Sequence, residues 1–270
     1  MRNRESKKLF IQGIPERLDF LFDKAIENSE NELRNDINEL EKRFNEVNEK
    51  HSCISWDDLD IAVNGIPDDV EDILYELSDL HFDLEVSKEK LKSLVEMKVL
   101  NLYKTYEIIL KELISHTFPN QSNKSLCQWE NVKGLMAEHE IKFGEINEYP
   151  FINQLRLVNN NIKHSPYIEG NVKKNIKEFK NDDEYNCDNL ELFYNRVNCK
   201  VKPFLTKLAD ELTKYLYDFS DERIESIVEL YSERMGDAEL DTLIDKLQAK
   251  VSLKSKRHKK KRLRTTGFEF

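Results

Sequence analysis

Apolar positions along this chain recur at three- and four-residue intervals, the period of helices that bury one face. Leu33, Ile37, Leu40, Phe44 and Val47 are spaced 4-3-4-3, a coiled-coil-like seam over two heptads. They lie in a segment, 14–50, that reads as one long helix with Pro15 in its first turn. The seam is expected to pack on another helix of the same protein or on a partner copy. Residues 51–66 read as a break anchored by Trp56. Pro67 and the acidic pair Asp68-Asp69 then open a second helix marked by Val70, Ile73, Leu74, Leu77, Leu80 and Leu84. A third, Ser87 to Thr117, carries Leu91, Val95, Val99, Leu102, Tyr106, Ile109, Leu113 and, just past its end, Phe118 on its inner side. No breaker separates the two, so they can be one continuous helix.

Pro119 begins a clear break. A short helix, 126–139, follows with Trp129, Val132 and Leu135, then a turn over 144–149. Pro150 opens a helix that should stop at Ser165, because the residue before Pro166 avoids the α region. Residues 166–186 read as a polar loop with one short helical turn at most. Asp188 to Phe219 reads as a long helix with Val197, Val201, Leu205, Leu208, Leu212, Leu216 and Phe219 on its core side, kinked or divided at Pro203. Two amphipathic segments, 221–235 and 237–253, part near Gly236. No run of alternating β-branched residues suggests a strand.

The expected fold class is therefore all-α, a helical bundle with long N-terminal helices and a basic C-terminal tail. The chain divides into an N-terminal helical, coiled-coil-like region (1–86), a bundle (87–220), C-terminal helices (221–253) and the tail (254–270). The composition agrees: 270 residues carry only seven Gly and six Pro, and 35% are charged, against roughly 25% in an average domain. No apolar run is long enough to span a membrane, and the apolar patch Leu9-Phe10-Ile11 is too short for a signal-peptide core. Cys53, Cys127, Cys187 and Cys199 are scattered, without a Cys-x-x-Cys pair. Free thiols and a cytoplasmic protein are expected.

Charge changes the picture at one end. Residues 254–264 contain eight Lys and Arg and no acid; removing that +8 from the net charge of −10 leaves −18 on the rest. Such an arm can fold onto the acidic body or meet a polyanion.

The helix from Pro150 to His164 is where chemistry can reside. Phe151, Leu155, Val158 and Ile162 form its expected buried stripe. Arg156, Asn160 and His164 lie off that stripe at i, i+4 and i+8, within roughly 80° of arc, flanked by Asn159 and Lys163. Three consecutive asparagines are poor helix formers, and a local preference broken without packing gain points to a site. A His can move the proton at a ribose 2′-hydroxyl or a leaving 5′-oxygen. An Arg can hold the scissile phosphate, and an Asn can orient either group. The same residues could instead cap the helix and bond a neighbouring loop.

The segment Arg156-Leu-Val-Asn-Asn-Asn-Ile-Lys-His-Ser resembles the signature helix of the HEPN superfamily, small helical bundles that include RNases of toxin–antitoxin and antiviral defence. The usual pattern is Arg, a polar residue that is often Asn, three variable residues, then His. Asn160 and His164 match at that separation. Where the pattern has its Arg, this chain has Asn159, and the nearest Arg is Arg156, one turn earlier. The helix order over 87–219 is also similar. The resemblance implies a HEPN-like four-helix core and a metal-independent endoribonuclease without cofactor. It further implies a homodimer whose motif helices face each other, and an antitoxin or defence-system protein as partner. On this reading Arg156, Asn160 and His164 are the catalytic residues and Asn159 and Lys163 contact RNA; apart from the resemblance, the charge of the arm residues Lys256, Arg257, Lys259, Lys260, Lys261 and Arg262 adds further RNA contacts.

Other chemistry is thinly represented. His116 and His139 lie near Glu138 and Glu140 but lack metal-ligand spacing. Asp57-Asp58 and Asp182-Asp183-Glu184 read as cap and loop charges. No phosphate-binding glycine loop, dinucleotide fingerprint or nucleophile elbow occurs. A non-catalytic helical adaptor is the alternative function, and a DNA-binding protein driven by the arm is a third.

Overall fold

A computed structural model describes the backbone of residues 2–21, 24–54, 67–121, 126 and 128–265, and side chains over 4–19, 26–54, 67–121, 126 and 128–253. The described residues are almost entirely helical; their β-type pairing is an isolated bridge between Tyr167 and Glu184. Besides a four-residue helical turn at Leu18–Leu21, the described helices are α1 (Arg2–Gly13), α2 (Lys24–Ser52), α3 (Asp68–Thr117), α4 (Trp129–Glu138), α5 (Tyr149–His164), α6 (Gly170–Asn175), α7 (Cys187–Tyr217), α8 (Asp221–Arg234) and α9 (Asp237–Thr265). The all-α bundle expected from the periodicity is what the chain forms. No helix among the described residues is long and apolar enough to cross a membrane. Trp56, Asp57, Asp58 and Cys127 lie outside the described residues.

Residues 1–216 form one compact unit and 217–270 a second. In the first, α3 is the central element: 50 residues of unbroken helix that run through Glu85, Val86 and Ser87. Every inner residue expected over 87–118 is buried, from Leu91 through Phe118. Also buried are Leu190, Phe193, Val197, Val201, Phe204, Leu205, Leu208 and Leu212 of α7, Val132, Leu135 and Met136 of α4, and Ile152, Leu155 and Val158 of α5; the Tyr106 and Phe204 ring centres lie 6.1 Å apart between α3 and α7. The seam on α2 packs within the chain: Ile37 joins Leu84 and Leu91 of α3, with Leu33, Leu40 and Cys187 against them. Burying each such aliphatic side chain contributes about 1.5–3 kcal/mol.

A charged network crosses this seam. Lys98 donates to Glu30 at 2.6 Å, both side chains buried, and Arg34 bridges Glu30 to Glu191 at 3.0 and 2.7 Å. Lys98 also lies 4.7 Å from the Tyr194 ring centre. Burial opposes ionisation of Glu30, but hydrogen bonds and charge from Lys98 and Arg34 hold its carboxyl below the usual carboxylate range. A paired buried charge fixes which helix faces meet, since any other register leaves it unpaired.

Several local expectations are corrected. Residues 14–50 are not one helix from their start: Ile14–Arg17 is a 3₁₀ turn with Ile14 and Pro15 buried, and the α-helix carrying the seam is Lys24–Ser52. A helix at 2–13 precedes it. Pro203 does not divide α7, which continues from Cys187 to Tyr217. Pro203 and Cys199, the residue whose carbonyl loses its usual partner, are both exposed, where solvent can reach the interrupted ladder. Residues 166–186 are not a polar loop: Ile168, Val172, Ile176, Phe179 and Tyr185 are buried, in α6 and the turns around it. Phe219 lies past the end of α7 and is exposed. Helix α9 does not stop at 253 but runs through the basic segment to Thr265.

Candidate functional site

Helix α5 starts with Pro150 in its first turn and ends where Ser165 turns extended, at φ −149° and ψ 137°. The Ser165 hydroxyl accepts from the Tyr167 amide at 3.0 Å and donates to its carbonyl at 2.8 Å, closing the turn. The stop before Pro166 is the one the sequence predicts. The core face is rotated from the expected stripe: Ile152, Leu155, Val158, Asn159 and Asn161 are buried, whereas Phe151 and Ile162 are half-buried. Arg196 and Lys200 place their cationic groups 5.6 and 5.7 Å from the Phe151 ring centre.

Of the predicted site residues on α5, all but Asn159 lie off that core face. Arg156 is half-buried, and Asn160, Lys163 and His164 are exposed. The guanidinium of Arg156 is positioned from within its own helix: Nε and Nη2 donate to Asn153 Oδ1 at 3.2 and 3.0 Å. Its plane rests 5.5 Å from the Trp129 ring centre, and Trp129 in turn stacks on Tyr149 at 6.0 Å. This leaves Nη1 of Arg156 without a hydrogen bond among the described residues. Tyr103, on α3, lies below: its ring centre is 6.0 Å from Lys163 Nζ. Burial, with Glu107 nearby, pushes its hydroxyl up to about 12 against the opposing charge of Arg156. The imidazole of His164 makes no hydrogen bond among the described residues.

The three asparagines divide into three roles. Asn160 faces solvent, and its Oδ1 accepts from Asn159 Nδ2 at 3.0 Å. Asn159, expected among the RNA contacts, is buried at 1% exposure and acts on Asn160 instead. Its own Oδ1 is buried without a partner among the described residues. Asn161, which the sequence reading passed over, is the structural one. Its Nδ2 donates to the Tyr167 carbonyl at 3.0 Å, and its Oδ1 accepts from the Tyr185 hydroxyl at 2.7 Å and the Glu169 amide at 3.2 Å. It ties the end of α5 to the segment that follows. Period alone does not give this role: Asn161 is roughly 100° around the helix from Asn160, between the expected stripe and the exposed row, and packing turns it inward.

A second brace fixes the helix at mid-length. Arg196 forks onto Glu178 with 2.7 and 2.9 Å bonds and donates to Gln154 at 2.9 Å. Gln154 donates to the Asn175 carbonyl at 3.0 Å. Burial disfavours the charge on Glu178, but the Arg196 hydrogen bonds keep its carboxyl below its ordinary range.

Elsewhere, no group of three or more His, Cys, Asp or Glu that could hold a metal occurs among the described residues. His139 is stacked on Phe118 at 4.3 Å and bonded to the Tyr215 hydroxyl at 2.8 Å. His116 packs edge-on against Phe10 at 4.8 Å. The two belong to separate contacts rather than one centre. The backbone of Lys256, Arg257, Lys259, Lys260, Lys261 and Arg262 lies in α9; their side chains fall outside those described.

Comparison with family models, with curated proteins and with solved structures gave no match. The chemistry of the site therefore rests on its own residues.

Proposed function

We propose that this chain is a metal-independent endoribonuclease of the HEPN type, acting in toxin or antiphage defence. The observation that carries the reading is the solvent-facing row on α5. An exposed His164 lies one turn beyond an Asn160 held by Asn159, on the same face as Arg156, and neither the His164 imidazole nor Arg156 Nη1 has a hydrogen bond among the described residues. In this reading His164 takes the proton from the ribose 2′-hydroxyl. The 2′-oxygen bonds to phosphorus, the bond to the 5′-oxygen breaks, and a protonated imidazole returns a proton to that oxygen. The products are a 2′,3′-cyclic phosphate and a 5′-hydroxyl. Arg156 Nη1 meets the phosphate as its negative charge grows, and Asn160 orients the ribose or the imidazole. One imidazole cannot be base and acid at once. Two copies with facing α5 helices supply both, which is the support for a homodimer. Lys163 and the 254–264 segment add positive charge for the RNA backbone.

The rival reading, a non-catalytic adaptor that binds a protein or RNA partner, is favoured by one observation: Arg156 is braced by Asn153 and Trp129 as a structural arginine is. Cleavage of total RNA by purified protein in EDTA separates the two. The endoribonuclease reading expects cyclic-phosphate ends from wild type and none from His164→Ala or Arg156→Ala, each with unchanged helicity. Wild-type protein that binds RNA or a protein partner but yields no such ends supports the adaptor.

A further inference from the structure

Residues 217–253 make up the described side chains of the second compact unit, and none of them is buried. Helix α8 starts at an N-cap, Ser220, whose hydroxyl accepts from the Arg223 amide at 3.3 Å. It carries Ile224, Ile227, Val228 and Tyr231 on one side. Helix α9 carries Leu240, Ile244, Leu247 and Val251, spaced 4-3-4. Ile224, Val228, Tyr231, Ile244, Leu247 and Val251 are left 46–67% exposed. An amphipathic helix with no core of its own gains most of its stability from whatever covers its apolar face.

We infer that this face is a self-association surface whose occupant is a second copy of the same chain, paired in parallel along α9. The pattern at the seam carries the choice of partner. With Leu240 and Leu247 at the d positions of a heptad, Ile244 and Val251 fall at the a positions. Leucine at d with β-branched residues at a is the arrangement that favours two parallel strands. The flanking positions that meet across such a pair, Leu243 with Gln248 and Lys250 with Ser255, set no like charges together. The polar side of α8 carries Asp221, Glu222, Glu225, Glu229 and Glu233, which repel nucleic acid and an anionic lipid surface, so the occupant is protein. Covering Ile244, Leu247 and Val251 in two copies removes roughly several hundred Å² of apolar surface from water, favourable by about 25 cal/mol per Å².

The sequence also says where pairing ends. The next d position is Lys254, the next a is His258 and the next d is Lys261. Like charges facing in the seam end it at Val251, and the two basic segments, +8 each, leave it side by side. The dimer is therefore strengthened by salt, which screens their repulsion, whereas an interface held by ion pairs weakens.

The pairing does not depend on the ribonuclease reading, and its test contains no RNA. Sedimentation equilibrium of the full chain at low-micromolar concentration is expected to give a dimer that tightens with added salt. The double substitution Ile244→Asp, Leu247→Asp should weaken it roughly a hundredfold or more, because it buries charge in the seam. Val251→Cys, which keeps the seam apolar and folded, should give an oxidised covalent dimer well above the wild-type level, since parallel strands bring the two thiols together across the axis. A monomeric wild type, or a dimer that survives the double substitution, overturns the surface. Dissociation by the aspartates without cross-linking through Cys at 251 overturns the parallel register.

Discussion

Replacing Asn161 with Ala should cost the first compact unit about 2–4 kcal/mol. The magnitude follows from what its side chain satisfies. Asn161 is 2% exposed and its partner Tyr185 is 4% exposed. Their 2.7 Å bond sits where water does not replace it, and an orphaned buried hydroxyl costs about 1–3 kcal/mol. The Tyr167 carbonyl and Glu169 amide, bonded at 3.0 and 3.2 Å, belong to exposed residues that solvent can reach, so their loss adds about 1 kcal/mol together. For a unit of 216 residues, each kcal/mol moves the midpoint by about 2–4 °C. The expected drop is then roughly 4–16 °C in a thermal melt followed at 222 nm. Tyr185→Phe alone should cost less, because it removes the hydroxyl together with its need for a partner. The double substitution should cost less than the sum of the singles by about 0.5–3 kcal/mol, the signature of a shared bond. A loss below about 0.5 kcal/mol for Asn161→Ala, the range of an ordinary surface change, refutes the claim that this residue anchors the end of α5.

Glu30 and Glu178 have carboxyls depressed in the folded state, so both favour folding above their unfolded value near 4.5. That contribution is lost as pH falls through the lower folded values, and urea denaturation should show stability level near neutrality and declining below about pH 4.5. Arg196→Ala leaves the buried Glu178 unpaired and should cost about 3 kcal/mol by the same assay. Among the described cysteines, Cys53 and Cys199 are exposed while Cys187 is half-buried with its thiol pushed up by burial. An aromatic disulfide reagent at neutral pH should label the first two quickly and Cys187 only on unfolding. Glu140 holds φ 56° after α4, where the Ile141 amide bonds back to the Met136 carbonyl at 2.8 Å. Glycine suits that left-handed position, so Glu140→Gly should stabilise by about 1 kcal/mol, visible as a raised urea midpoint.

The order of the helices α3, α4, α5 and α7, the inner face of α3 from Leu91 to Phe118 and the stop of α5 before Pro166 were all legible along the chain. Each follows from local period or from the backbone restriction that a proline imposes on its neighbour. The face shared by Arg156, Asn160 and His164 was legible for the same reason, because a helix fixes the angle between residues four apart. What period alone could not supply was the phase of α5 against its neighbours. Packing on α3 and α7 put Ile152 inside rather than Phe151, and turned Asn159 and Asn161 inward, where one steadies Asn160 and the other holds Tyr185. Nor could it show that Ile168, Val172, Ile176 and Phe179, spaced among lysines and glutamates, would be buried, or that α7 would pass through Pro203. A residue's burial depends on which element covers it, and an interrupted helical hydrogen bond is tolerated where solvent can reach the freed carbonyl. Those are properties of the assembled tertiary structure. The same holds for Glu30 and Lys98, 68 positions apart, whose charges are bearable inside the unit only because the folded chain sets them against each other.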